Sequence, residues 1–297
     1  MKIFFSTFAE IFKHYLLNPK ISDSKSKLVE KVKKVYSLLF AIMILCVACE
    51  FKLKPNEDAD QMMHVEVQRY DRLQSRYLTT GDFSALQQMN TEYPMETRTL
   101  IEDMLRLGDV NDPEINSKFL NFYQDTLLQT IITDAEVQFA NMDDLNKDFS
   151  ASFERLKAYL PDIEIPVIYA QIGALVQSVV IGDKMIGISL DKYLGTDYPV
   201  YFRFYPANQR QSMTREYRVP DCLVFFLLSV YPMSNIDSRT QREKDIHTGK
   251  VMWVVNKVMG RHFFDTEYVK IVERYMYRHP KLSMDAMLNS NDYKQFK

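Results

Sequence analysis

Glycine is scarce in this chain, with 8 in 297 residues, cysteine is scarcer at 3, and tryptophan occurs once. So little glycine excludes collagen-like repetition and flexible low-complexity tracts. Three cysteines, at 46, 49 and 222, exclude a disulfide-stapled scaffold. Neither sign of charge dominates, because 37 basic side chains face 39 acidic ones for a net charge of -2, which excludes a strongly basic nucleic-acid binder. The five histidines, at 14, 64, 247, 262 and 279, are scattered, and HExxH, GxxxxGK[ST], GxSxG and GxGxxG are all absent. A zinc peptidase helix needs two histidines one turn apart to grip the metal from one face, with a glutamate beside them to activate water. Nothing in the chain fits that pattern, so neither a metal site nor a cofactor is expected.

What is present is apolar and aromatic: 46% of residues are hydrophobic, with 18 Tyr, 19 Phe and 16 Met, enough for a substantial core. Long apolar side chains with little glycine favour helices. The uncharged stretch Val35 to Ala48 follows Lys31, Lys33 and Lys34 and ends at Cys49-Glu50. Its length of about 21 Å as a helix falls short of the roughly 30 Å hydrocarbon core. A basic cluster, a short apolar run and small residues at a cleavage point make an export signal. Cys46-Val47-Ala48-Cys49 resembles a bacterial lipobox, although Cys46 stands where leucine is usual and the segment before the lysines is long. A start near Val29 or Val32 would give a signal of ordinary length. The resemblance implies that Cys49 carries lipid and becomes the first residue of the mature protein; the alternatives are a buried core helix or an uncleaved anchor.

Removing residues 1–48 takes away 8 Lys and 3 acidic residues, leaving 29 basic and 36 acidic side chains and a net charge of -7. That balance argues against nucleic acid or an anionic membrane face as a partner. Cys222, inside the apolar run to Val230, reads as a small core residue rather than a nucleophile. Residues 49–60, with Pro55, suit a tether, and residues 61–297 make the folded domain.

Within that domain, alternating His64 to Gln68 predicts a strand closed by Arg69-Tyr70-Asp71. Helical patterning covers Ala85 to Asn90, Glu96 to Leu107 and Pro113 to Ile132, and Leu145, Phe149, Phe153, Leu156 and Leu160 mark an amphipathic helix that Pro161 ends. Pro166 to Ile181 and Met185 to Leu190 flank Gly182-Asp183-Lys184 as a hairpin. Pro220-Asp221 opens a helix apolar all round, a core element. Ser238 and Gln241 have capping-box spacing before a helix that Gly260 stops. A last long helix from about Asp265 sets Tyr268, Ile271, Val272 and Tyr275 on one face. The expected fold is α+β, predominantly helical, with a small sheet from the N-terminal strand and the central hairpin.

The passage Gly187 to Gly195 is the most distinctive. Asp191 is placed to cap a short turn through Leu194, and a functional reading puts Asp191, Tyr193 and Asp197 at a groove beside the strand end. Arg203, Arg210, Arg215 and Arg218, mixed with Tyr201, Tyr205 and Tyr217, suggest an anion or glycan patch, or, with Glu216 and Asp221 interleaved, an ion-paired face.

Val67-Gln68-Arg69-Tyr70-Asp71, Tyr93-Pro94, Ile181-Gly182-Asp183, Ile188 to Gly195 and Gly249-Lys250, in that order, resemble the gliding-motility lipoprotein B (GldB) family of Bacteroidota. The resemblance implies a cell-envelope lipoprotein tied to gliding in species that glide. The strand, hairpin and helix order is also similar to zincin-like peptidase relatives that carry HExxH after the hairpin, which implies a degenerate peptidase scaffold. The expected function is therefore a non-enzymatic accessory role in gliding or related surface machinery. Its partners would be the membrane, through the lipid on Cys49, and other envelope proteins. With no acidic pair directly beside Cys49, the periplasmic face of the outer membrane is the expected location. The alternatives are a hydrolase with a non-standard site near Asp191 and a glycan- or peptide-binding lipoprotein.

Overall fold

The structure, a computed structural model, describes residues 63–297. Cys49, the signal and the tether lie outside the described residues. Four strands form one sheet in the order β1-β2-β4-β3. They are β1 (Val67–Gln68), β2 (Val167–Gln171), β3 (Val179–Gly182) and β4 (Met185–Ser189). β1 and β4 both pair with β2 in parallel, and β3 runs antiparallel to β4.

The α+β, predominantly helical architecture is as expected, but two sheet details differ. The strand predicted over 64–68 shortens to two residues, and the apolar stretch 166–181 is two strands rather than one. Ala174 and Leu175 have φ of 49° and 62°, a left-handed conformation that no β ladder accommodates, so the chain leaves the sheet after Gln171 and re-enters at Val179. Only β3 and β4 make the hairpin, and the crossover makes β2 a parallel neighbour of β4.

The edge at β1 is closed by α6 (Asp143–Tyr159). Asn146 and Ser150, one turn apart on that helix, accept the backbone N–H groups of Val67 at 3.0 Å and Val65 at 2.9 Å. Side-chain oxygens thus take the place of a further strand. The adjacent stripe of α6 buries Leu145, Phe149, Phe153 and Leu156, as the helical spacing requires.

Other helices correct the sequence reading locally. Arg69-Tyr70-Asp71 does not merely close a strand, because Tyr70 opens α1 (Tyr70–Thr80), which buries Tyr70, Leu73, Gln74, Tyr77 and Leu78. α2 (Phe83–Glu92) contains the predicted 85–90 segment, and Pro94 starts α3 (Pro94–Arg98) in its first turn. The segment beyond does not continue as a regular α-helix but widens into a π-helical turn, Thr99–Met104. The helix predicted over 113–132 is broken into α4 (Ile115–Phe122) and α5 (Thr126–Gln138). Asp125 lies between them with its carboxylate accepting from the N–H groups of Leu127 and Leu128, an N-cap that starts a new helix.

Two short helices, α7 (Tyr201–Phe204) and α8 (Ala207–Arg210), lead to α9 (Arg218–Val230). Cys222, Leu223 and Leu227 of α9 are buried, while Phe225 and Val230 are exposed, so this helix is one-sided rather than enclosed. The capping box of α10 (Gln241–Met259) is Thr240 with Glu243, two residues beyond the predicted pair. Gly260 stops that helix at φ 66°, as expected. α11 (Glu267–Arg278) buries Ile271, Val272 and Tyr275, and α12 (Met284–Asn289) follows. α10 and α11 pass so close that a Cβ on Gly249 would lie 2.9 Å from the Tyr268 carbonyl carbon.

Candidate functional site at the strand ends

The carboxyl ends of parallel strands are where loops gather and polar side chains converge in sheets of this kind. Here β2 delivers the loop 172–178, and β4 delivers a 3-10 turn, Leu190–Lys192. Asp191 on that turn is 0% exposed. One carboxylate oxygen accepts the N–H of Gly173 at 2.7 Å, and the other accepts that of Leu175 at 2.6 Å. Asp191 therefore does not cap its own turn; its side chain crosses to hold the left-handed loop after β2. Burial pushes its pKa above the usual carboxylate range, and the two backbone donors work against that shift.

The same loop is gripped from three further sides. Gln74 of α1 donates to the carbonyl of Ile172 at 2.7 Å and accepts its N–H at 2.8 Å, as a neighbouring strand would. Tyr123 donates to the same carbonyl at 2.7 Å. Lys192 donates to the Leu175 carbonyl at 3.3 Å and to the Tyr205 hydroxyl at 2.8 Å, and Tyr205 itself donates to Leu175. Burial pushes the Lys192 ammonium down, opposed by the neighbouring Asp191 charge.

Tyr201 donates to the Asp191 carbonyl and accepts the N–H of Leu194, which fixes the turn beneath it. Tyr193 donates to Asp221 at 2.9 Å. Burial pushes the Asp221 carboxyl up to about 7, and the tyrosine hydrogen bond opposes the shift.

Of the three groove residues suggested by sequence, Asp191 and Tyr193 are 0% and 1% exposed, while Asp197 is on the surface. The Asp191 carboxylate and the Tyr193 ring are enclosed in the junction, the first bonded to the loop after β2 and the second to Asp221. The arginines and tyrosines of 201–218 also part company. Arg215 and Arg218 both clamp Asp144, at 2.7 and 2.8 Å, and hold its carboxyl down at about 2. Glu216 pairs with Arg261 at 3.3 Å. Arg210 lies over the Phe202 ring at 3.7 Å, Arg203 is exposed, and Tyr201 is buried. The ion-paired reading describes Arg215, Arg218 and Glu216; Asp221 is instead taken up by Tyr193.

Cys222 is buried, and burial pushes its thiol well up, which describes a core residue. Among the described residues, no three His, Cys, Asp or Glu side chains stand together as a metal set, and no helix is long and apolar enough to cross a membrane. At the other end of the sheet, a cleft of about 330 Å³ is lined by Ile163, Pro166, Ile181, Met185, Phe226 and Val230. Asp162, Glu164, Lys184 and Ser229 line it as well, with Glu164 and Lys184 paired at 2.9 Å, so its polar groups are separate from those of the junction.

The family model described as gliding motility protein GldB matches residues 52–263, more than two thirds of the chain. The chain belongs to this family. The GldB match takes in the whole sheet, the Asp191 junction and α1 to α10, and it ends before α11. Comparison with curated proteins and with solved structures finds no match.

The sequence pointed to Asp191 but missed what it holds. Gln74 and Tyr123 were passed over because no local spacing links them to the loop: they lie 98 and 49 positions from Ile172. A glutamine on the buried stripe of α1 was the one available sign. A buried amide needs partners, and Gln74 finds both of its own on the backbone of Ile172.

Proposed function

We propose that the chain is a lipid-anchored cell-envelope protein that serves gliding or related surface machinery through protein contacts rather than through a reaction of its own. The observation that supports this reading is how the polar side chains at the strand ends are used. Both carboxylate oxygens of Asp191, both ends of the Gln74 amide and the Lys192 ammonium are spent on the backbone of the loop 172–178. A hydrolytic carboxylate has to reach its substrate, and Asp191 is instead a structural ligand for two N–H groups. Family membership ties the chain to gliding motility, and the lipobox-like Cys49 supplies the attachment to the membrane, at the periplasmic face of the outer membrane. More than one acyl chain on Cys49 would hold it stably.

The test is the intact mass and membrane partition of the native protein beside Cys49→Ala. Cleavage before Cys49 with added acyl mass in the wild type, and loss of both in the variant, is the expected result. Retention of residues 1–48 without acyl mass overturns the anchor. The role through contacts is tested separately by crosslinking in the envelope: recovery of specific partner proteins is expected, and turnover of a peptide or glycan substrate by purified protein would overturn it.

A further inference from the structure

α11 presents a face that the domain core does not use. Arg274, Tyr277 and Arg278 stand three and four positions apart, so they share one side of the helix. With Glu273 and Lys297 they line an open concavity of about 580 Å³. Tyr277 is 88% exposed, the most exposed large hydrophobic side chain among the described residues. Glu273 faces Lys257 at 3.5 Å, and Lys270 faces Asp265 at 2.9 Å, so those charges are matched. Among the described residues, Arg274, Arg278 and Lys297 make no ion pair; Arg278 only donates to the Arg274 carbonyl. Three cations without an ion-pair partner among the described residues therefore share this concavity with one exposed phenol.

We infer that this face, Arg274, Tyr277, Arg278 and Lys297, is a docking surface for a membrane rich in anionic phospholipid headgroups. Charge complementarity names the ligand chemistry: guanidinium groups meet phosphate oxygens two at a time, and an ammonium adds a point charge. Tyrosine sits at the headgroup level of bilayers, with its ring among the upper acyl carbons and its hydroxyl in water. An open concavity with an outward-pointing ring has nothing to close over a small anion, whereas a bilayer covers the whole face at once. The net negative charge of the chain, which argues against an anionic surface, does not govern here, because screening confines each charge to about 10 Å and leaves the local patch to act alone. The surface lies beyond residue 263, outside the part of the chain that the family model matches. It rests on the envelope reading only for the presence of a membrane nearby.

The experiment uses the full chain carrying Tyr277→Trp, mixed with vesicles of phosphatidylcholine alone or with added phosphatidylglycerol, both containing brominated acyl chains. Trp253 is buried and gives a constant background. Quenching and a blue shift in anionic vesicles only, abolished by salt, is the expected result. Arg274→Glu with Arg278→Glu in the same background should weaken binding by about fivefold or more per removed cation, with an unchanged thermal melt showing that α11 is folded. Equal quenching in neutral vesicles, or quenching untouched by the double variant, overturns the proposal. So does saturable competition by inorganic phosphate, which would mark a small-anion site, or preferential binding of an acidic peptide, which would mark a protein partner. Because the readout is at residue 277 and does not depend on acylation, failure here is distinct from failure of the Cys49 anchor, which intact mass reads.

Discussion

Two regions of the molecule hold irregular backbone in place with a buried charged side chain, and they do so with opposite signs. At the strand ends, the carboxylate of Asp191 gathers two N–H groups from the loop after β2. At the C-terminal side, the ammonium of Lys250, 0% exposed within α10, gathers the carbonyls of Leu288 at 3.1 Å and Ser290 at 2.8 Å as the chain leaves α12. The carboxylate has donors on both oxygens, with Gln74, Tyr123 and Lys192 closing the same loop around it. The ammonium has two carbonyls and the faces of Tyr293 and Phe296, at 5.2 and 5.8 Å. The first is a dense network, in which losing one member strands several others. The second is a simpler clasp on a terminal segment. A buried charge costs least where its neighbours use all of its hydrogen-bonding capacity.

The difference can be broken most severely at Asp191. Asp191→Ala leaves one buried and one partly buried N–H without acceptors and should lower stability by about 3–5 kcal/mol, read as a shift in the urea midpoint. Asp191→Asn, which keeps one acceptor, should lose clearly less; equal losses would show that the hydrogen bonds are not what matters there.

The Lys250 clasp should show a smaller effect with a pH signature. Burial pulls its pKa down from 10.5 to about 8, so between those values the unfolded chain binds more protons than the folded one, and stability rises with pH. Lys250→Met should flatten that rise, which is about 1–3 kcal/mol, in urea titrations between pH 8 and 10.5. A wild-type profile already flat there would sink the idea that this ammonium is held buried.

Asp221 offers the opposite sign. Its carboxyl is pushed up from 3.8 to about 7, so the folded state holds the extra proton, and stability falls as pH rises through that window before levelling above it. Asp221→Asn should remove this fall, of order 2–4 kcal/mol. A slope between pH 4 and 7 that survives the substitution would assign it to other groups. The least effect is expected at the sheet edge, where Asn146→Ala should cost about 1 kcal/mol by freeing a single partly buried N–H.

Elements written in contiguous spacing were legible: α6 from its apolar stripe, the Gly260 stop, and the Ile271-Val272-Tyr275 face of α11. Breaks caused by one polar side chain were harder to see. Asp125 divides a helix because its carboxylate satisfies the next N–H groups, and the apolar pattern on either side carries no trace of that. The parallel placement of β2 beside β4 was also hidden, because Val, Ile and Ala suit a hairpin strand and a parallel strand equally. In the candidate site, Asp191 drew notice for its surroundings, but its partners lie 16 and 18 positions back along the chain and are backbone groups, which no side-chain motif marks.

The short first strand has a mechanical consequence. β1 contributes only Val67 and Gln68 to the sheet, and the N–H groups just before and within it are held by Ser150 and Asn146. A pull entering the domain at residue 63 therefore meets Ser150 on both the N–H and the carbonyl of Val65, Asn146 on Val67, a two-residue parallel pairing, and the Arg69 guanidinium on the carbonyls of Phe139 and Ala140 before it reaches α1. These contacts yield one after another, like a seam opened from its end, while the Asp191 junction behind them stays loaded only through the helix. If the protein works under tension, its first extension has to draw Val65 and Val67, both buried in the core, out of the interior before Tyr70 and α1 are reached.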